Sequence, residues 1–145
     1  MTTVKQIFDL AVYLMGENND TSGQTDTSDT REYKVRTIGI LNVIRNECYP
    51  YSDTYKAAEP GKRPVCAVLA DFDSVVEIDD GIAQGVMPYG LAARLLADEN
   101  PTLAAFFQDC YSELLRQYGK GVPAVCEATV DVYGGVFPYN DFGAW

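Results

Sequence analysis

The stretch PYGLAARLLADENPTLAAFFQDCYSELLRQY, residues 88–118, predicts two helices joined at Asn100-Pro101, and the rest of the chain is organised around it. Asn100 can accept a hydrogen bond from a free amide of the first turn, and Pro101 suits the first helical position. Beyond this corner the apolar residues follow the i, i+3, i+4, i+7 spacing of a helix with one buried stripe. They are Leu103, Phe106, Phe107, Cys110, Tyr111, Leu114, Leu115 and Tyr118. The sequence therefore predicts a helical hairpin here.

The first helix of the chain should begin at Thr3. Thr3 and Gln6 have the spacing of a capping box, in which each side chain satisfies a backbone amide near the other residue. Gly16 can end this helix in a left-handed conformation. The predicted apolar face consists of Val4, Ile7, Leu10, Ala11 and Leu14.

A second, longer helix should run from Asp29 to about Cys48. Asp29 and Glu32 resemble another capping box. The apolar arc of this helix is broad, which indicates burial against several neighbours or partly against another subunit. Gly39 in its middle costs up to about 1 kcal/mol in helix propensity, so a close approach of another helix is expected there.

The predicted fold is a mainly α, four-helix domain with helices that begin near Thr3, Asp29, Pro88 and Asn100. Residues 17–28 are almost wholly polar and are predicted to form a mobile loop. A long irregular connection, residues 50–78, separates helices 2 and 3; Val65, Ala67 and Leu69 alternate in it and suggest a short strand, which could pair with Val125–Val132. One helical turn is expected at Asp79–Gln84. The most buried residues should include Phe106, Phe107, Leu114, Leu95, Leu41 and Ile44.

The balance of charge limits the function classes that are plausible. The chain has 145 residues, about one domain, with 11 basic and 21 acidic side chains and a formal net charge of −10. Such a surface repels phosphate, so tight binding to nucleic acid or to an anionic membrane is not expected. No apolar run approaches the ~20 residues of a membrane span and no signal-peptide pattern is present, which predicts a cytosolic protein.

The residue types that most catalytic and metal sites need are missing or badly spaced. There is no histidine, the commonest general base and a frequent metal ligand. The acidic run at residues 71–80 fails as a calcium loop, because Val76 and Ile82 occupy positions that demand glycine and glutamate. Asp98 and Glu99 have a structural explanation, since negative charge is favoured beside a helix start. We therefore predict no enzyme, no cofactor and no metal.

The cysteines point to reduced thiols. Their positions give neither a CxxC pair nor the density of a disulfide scaffold. Cys110 falls on the apolar stripe of the hairpin and is predicted to be a buried thiol. The four residues are Cys48, Cys66, Cys110 and Cys126.

The last residues of the sequence form an aromatic arm, residues 133–145, that contains Gly134-Gly135 and is interrupted by Pro138. Large aromatic groups of this kind seldom stay in solvent and dominate binding when they fill pockets. The arm could close the core of its own subunit or could dock into another molecule. The candidate interface residues are Tyr133, Phe137, Tyr139, Phe142 and Trp145.

Three stretches resemble a family of structural proteins encoded by tailed phages and prophages. They are PYGLAARLLADENPTLAAFFQDCYSELL at residues 88–115, TDTSDTREY at residues 25–33 and DVYGGVFPYNDFGAW at residues 131–145. The chain is similar to small helical proteins of the head–tail connector, or adaptor, type. PYGLAARLL is the specific part of this resemblance.

The resemblance implies a helical connector domain at residues 1–132 that assembles as a ring, with the arm at residues 133–145 reaching a partner. The implied partners are copies of the protein itself, the phage portal and tail-completion proteins. DNA would pass through the ring without specific binding, and no membrane would be involved. The protein would act in the virion, or in the bacterial cytoplasm during assembly, and would not be secreted.

Two other functions compete with the connector. The first is a cytosolic regulator that captures a protein partner with the aromatic arm or the acidic loop. Self-association without any partner would favour the connector, whereas a stable monomer would favour the regulator. The second is an enzyme that uses carboxylates alone, which would need two close carboxylates in a concave pocket.

Overall fold

The computed structural model describes residues 1–52 and 67–119, and in these ranges the protein is mainly helical. Both hairpin helices and both earlier helices of the prediction are present, and a short helix lies where a single helical turn was predicted. The elements are α1 (Val4–Met15), α2 (Arg31–Cys48), a 3-10 turn (Tyr49–Tyr51), α3 (Asp80–Gly85), α4 (Met87–Leu95) and α5 (Pro101–Gly119). The aromatic arm, the boundary at residues 132/133, and Val125–Val132 lie outside the described residues.

Helix α4 lies at the centre of the described structure and packs against α1, α2, α3 and α5. Its residues Leu91, Ala92 and Leu95 are completely buried. Gly90 lets α5 come close, because a Cβ atom at this position would lie 2.9 Å from carbon atoms of the Tyr111 ring. The hairpin prediction is confirmed, and the side-chain oxygen of Asn100 accepts from the amide of Leu103 at 3.1 Å.

The capping box at the start of α1 is confirmed, but the predicted apolar face was partly wrong. The Thr3 side chain accepts from the Gln6 amide and the Gln6 side chain accepts from the Thr3 amide. Leu10 and Leu14 each remain 36% exposed, whereas Phe8 is buried. The reason is that the segment before α3 lies beside the start of α1. The amide of Val76 in this segment donates a hydrogen bond to the Thr2 carbonyl at 3.0 Å. Its Phe72 ring meets the Phe8 ring edge to face, so this side of α1 is the covered one.

Helix α2 begins at Arg31, and the predicted capping box at Asp29 is absent. Thr30 precedes the helix without a side-chain cap, because its hydroxyl donates instead to the Thr25 carbonyl at 2.6 Å. The polar loop before it, predicted as mobile, is tied to both helices. Thr25 donates to Asp9 of α1 at 2.6 Å, and Lys34 of α2 pairs with Asp26 at 2.6 Å.

The core prediction holds for Phe107, Leu95, Leu41 and Ile44, but it was wrong for Phe106 and for Leu114, which is only partly buried. Phe107 is 4% exposed and Phe106 is 58% exposed. Adjacent residues on a helix point about 100° apart, so only one of the two phenylalanines can face α4. The buried stripe of α5 is Ala104, Phe107 and Tyr111, with Leu103, Leu114 and Leu115 only partly buried. The prediction that Cys110 is a buried thiol was wrong, because this residue lies at the edge of the stripe and is partly exposed.

No strand forms at the described end of the long connection, residues 67–78. Leu69 is bonded instead to the side chain of Asn42 on α2. The Leu69 amide donates to Oδ1 of Asn42 at 2.9 Å, and Nδ2 of Asn42 donates back to the Leu69 carbonyl at 3.2 Å. A single side chain thus satisfies the backbone groups that a neighbouring strand would have paired. Val65 lies outside the described residues.

Candidate interaction surfaces

One polar cluster joins three helices. Nη2 of Arg94 on α4 donates to both carboxylate oxygens of Glu47 on α2, at 2.7 Å each. The hydroxyl of Tyr111 on α5 donates to the same carboxylate at 2.9 Å and lies 3.5 Å from the sulfur of Cys48. The cluster therefore ties α2, α4 and α5 together at one place.

The protonation of this cluster suits a structural role. Burial raises the pKa of the Cys48 thiol to about 11, so the thiol stays protonated at neutral pH. Burial, followed by the hydrogen bonds to Cys48 and Glu47, also raises the pKa of Tyr111. A cysteine nucleophile needs the opposite shift and an accessible sulfur. Cys48 has neither a lowered pKa nor an accessible sulfur, and its side chain contributes to packing.

The two carboxylates at the hairpin corner are in contact with α2. Tyr33 donates its hydroxyl to Glu99, and Arg36 forms an ion pair with Asp98 at 3.6 Å. Burial first, and the bond to Glu99 second, raise the pKa of Tyr33. Arg36 also donates to the carbonyl of Arg94 at 3.4 Å. Asp98 and Glu99 therefore connect the corner to α2.

Two carboxylates of the acidic run take part in local hydrogen bonds. Asp71 accepts from the Ser74 hydroxyl at 2.8 Å. Asp80 accepts from the Thr2 hydroxyl at 2.6 Å, and this bond is the main reason that the pKa of Asp80 lies below its usual value. Among the residues that the structure describes, no group of three or more histidine, cysteine, aspartate or glutamate side chains could hold a metal ion.

An open cleft of about 280 Å³ lies between α1 and α3. The described residues that line it are Gln6, Asp9, Leu10 and Gln84. Asp9 accepts the hydrogen bond from Thr25. These lining residues offer a ligand neither a cationic side chain nor a pair of carboxylates.

The outward side of α2 carries apolar residues around an open glycine. Val35 is 80% exposed and Val43 is 54% exposed. Gly39 lies midway between them, and a Cβ atom added to it would meet nothing within 4 Å. The close helix approach that we expected at Gly39 is therefore not made within the described part of this subunit. We call Arg31, Val35, Gly39 and Val43 the α2 face.

The outward side of α5 carries a large aromatic residue beside acidic ones. Phe106 is 58% exposed, although its ring lies 5.6 Å from that of Phe107. Thr102, Asp109 and Glu113 are exposed on the same side of the helix. We call Thr102, Phe106, Asp109 and Glu113 the α5 face.

The interface residues predicted from the sequence and those exposed in the structure are different sets. Tyr133, Phe137, Tyr139, Phe142 and Trp145 all lie outside the described residues. The α5 face was missed because Phe106 was assigned to the core. The Glu47–Arg94–Tyr111 cluster was missed because nothing local in the sequence links side chains on three different helices.

Comparison with known proteins leaves the family of this chain open. Within residues 1–52 and 67–119, none of the helices has the length and apolar character that crossing a bilayer demands. No protein-family model matches the chain, and no curated protein or solved structure matches it either.

Proposed function

We propose that this protein is a non-enzymatic structural component of a phage or prophage head–tail connector. In this proposal, copies of the chain form a ring with portal and tail-completion partners, and DNA passes through the ring. The mainly helical fold is compatible with the proposal, and the resemblance of residues 88–115 suggests its class.

The observation that carries the proposal is that large apolar side chains are exposed on two different helices. A ring needs two unlike surfaces on every subunit, so that the head of one copy meets the tail of the next. The α2 face, with Val35 and Val43, and the α5 face, with Phe106, are two such surfaces. A subunit contact would remove these apolar side chains from water.

The charge of the chain supports passage of DNA rather than its capture. A net charge of −10 repels the phosphate backbone, and a channel wall must not hold the DNA that moves through it. We therefore propose that the protein acts in the virion, or in a particle that is being assembled in the bacterial cytoplasm.

The aromatic arm is the proposed contact with an adjacent copy, the portal or a tail protein. Each of its aromatic side chains can bury roughly 150–250 Å² when it fills a pocket. Deleting residues 140–145 should leave helix content and melting temperature nearly unchanged while abolishing particle assembly or partner binding. A truncated protein that unfolds would place the arm in the core, and one that assembles and binds normally would remove the role proposed for it.

The direct test is the state of the purified full-length protein, alone and with a portal protein. The connector proposal predicts self-association and portal binding. A protein that stays monomeric, ignores the portal and captures a bacterial host protein would favour the cytosolic regulator instead.

A further inference from the structure

We propose that residues 70–77 form a strap that opens and closes over the start of α1, with Glu77 as its hinge, while the α4–α5 hairpin stays folded. The movement does not depend on the proposed ring. Three features of the strap support it, namely its backbone contacts with α1, the anchors at its two ends and the backbone conformation of Glu77.

The strap is held to the start of α1 by backbone hydrogen bonds. Two amides of the first turn donate to carbonyls of the strap, and one strap amide donates back to a carbonyl ahead of the helix. The three bonds are Val4 to Ser74 at 3.1 Å, Lys5 to Phe72 at 2.9 Å and Val76 to Thr2 at 3.0 Å. The first two satisfy amides that have no partner inside a helix. All three bonds join the same two segments, so they break together when the strap leaves α1.

Both ends of the strap are fixed to the core. Leu69, just before the strap, is buried, and the side chain of Asn42 holds its backbone on both sides. Ile78, just after the strap, is also buried. Among residues 70–77, in contrast, Val76 alone is buried and five of the eight residues are exposed. Lifting the strap between its anchors therefore exposes much less apolar surface than unfolding the domain.

Glu77 has the backbone conformation of a strained hinge. Its φ of +48° lies in the left-handed region, which residues with a Cβ atom seldom adopt. In the described part of the chain it is the one residue other than glycine with a positive φ. Its side chain is exposed, so packing does not explain the choice of glutamate. The closed strap therefore stores strain, which is released when residue 77 rotates to an extended conformation.

Opening the strap changes the surface at the start of α1. In the closed form the Phe72 ring packs edge to face on Phe8, and Nζ of Lys34 on α2 lies 5.3 Å from the centre of the Phe72 ring. Phe8 itself is only 2% exposed. When the strap lifts, both contacts of Phe72 are lost and the side of Phe8 that it covered meets solvent. The open form thus presents an apolar surface that the closed form covers.

Native-state hydrogen exchange of the full-length protein, followed by NMR in low urea, tests the movement. The amides of Val4, Lys5 and Val76 should share one protection factor, about tenfold or more below that of Leu91 in the interior of α4. Low urea should change this shared factor little, because the opening exposes little surface, but should lower the factor of Leu91 steeply. Strap amides with the protection factor and urea dependence of Leu91 would overturn the proposal.

Three uncharged residues at position 77 test the hinge. Glu77→Ala removes the charge and keeps the Cβ atom, so it is the reference. Glu77→Gly relieves the strain and should raise the protection of the strap amides about threefold above this reference. Glu77→Val adds a β-branched side chain and should lower it about threefold. Equal protection in the three variants, or any other order, would overturn the role of Glu77.

Arg94→Met is the matched control at another place in the fold. It removes the ion pair with Glu47 that joins α4 to α2, and it should lower the protection of Leu91 about tenfold. The amides of Val4, Lys5 and Val76 should keep their protection, because the strap opens without unfolding the hairpin. Strap amides that lose protection in step with Leu91 would show that the strap leaves α1 only on global unfolding, and would overturn the proposal.

Discussion

Arg94 of α4 meets Glu47 of α2 with one nitrogen, Nη2, placed 2.7 Å from each carboxylate oxygen. The side chains are only partly exposed, at 28% and 39%. Tyr111 of α5 donates to the same carboxylate at 2.9 Å. The contact therefore joins three helices through side chains that are distant in sequence, and it fixes where the hairpin sits on α2.

We expect this ion pair to stabilise the fold more than an exposed pair does. Arg94→Met should lower the free energy of unfolding by about 1–3 kcal/mol, because Glu47 loses two charged hydrogen bonds in a partly desolvated place. Arg116→Met is the control, since the exposed Arg116–Glu113 pair should be worth under about 1 kcal/mol. Urea denaturation of both variants measures the difference. Equal losses would mean that the Arg94 contact contributes no more than a surface pair.

Neighbouring phenylalanines on α5 should respond very differently to truncation. Phe107→Ala should cost about 3–5 kcal/mol, because a ring that is 4% exposed leaves a cavity when it is removed. Phe106→Ala should change the stability of the isolated subunit by about 0.5 kcal/mol or less, since its ring is 58% exposed. Measurements at a concentration where the protein is monomeric test the phase of α5. A larger loss of stability in Phe106→Ala than in Phe107→Ala would contradict the assignment of Phe107 to the core.

Two glycines in helices should also respond in opposite directions to alanine. Gly90→Ala puts a Cβ atom 2.9 Å from the Tyr111 ring, and should destabilise the protein by about 1–3 kcal/mol. Tyr111 has little room to move because its hydroxyl is held by Glu47. Gly39→Ala meets no atom within 4 Å and should stabilise the monomer by up to about 1 kcal/mol. Thermal melting of the two variants checks both signs, and a stabilising Gly90→Ala would contradict the packing of α4 on α5.

Alkaline pH should weaken the fold through Cys48. Burial holds the pKa of Cys48 at about 11 in the folded protein, against a usual value of 9.0, so the unfolded chain releases this proton first. The contribution is fully present below the unfolded pKa and is lost as the pH rises through the folded one. The free energy of unfolding should therefore fall between about pH 9 and pH 11. Cys48→Ala should fall less steeply, and an unchanged slope would show that this thiol does not titrate on unfolding.

Much of the helical structure could be predicted from the sequence because its signals are local. The Thr3–Gln6 capping box, Gly16 with φ +74°, and the Asn100-Pro101 corner each specify a helix end within a few residues. These signals depend on backbone groups that nearby side chains can satisfy, so no knowledge of distant contacts is needed.

The features that the sequence could not give depend on which surface each helix meets. Phe106 and Phe107 are equally apolar, and only the position of α4 decides that Phe107 is covered. Asn42 gives no sign in the sequence that it will bond to the backbone of Leu69, 27 residues away. The close helix approach expected at Gly39 was wrong for the described part of the subunit, because a helix glycine alone does not specify which surface comes near it.

Self-assembly is the central claim of this account, and the mass of the full-length protein in solution tests it most directly. We expect sedimentation equilibrium over a wide concentration range to give one discrete multiple of the 16.0 kDa chain, and negative-stain images to show closed rings with a central channel. A chain that sediments as a monomer at the highest concentration that can be reached would contradict the account.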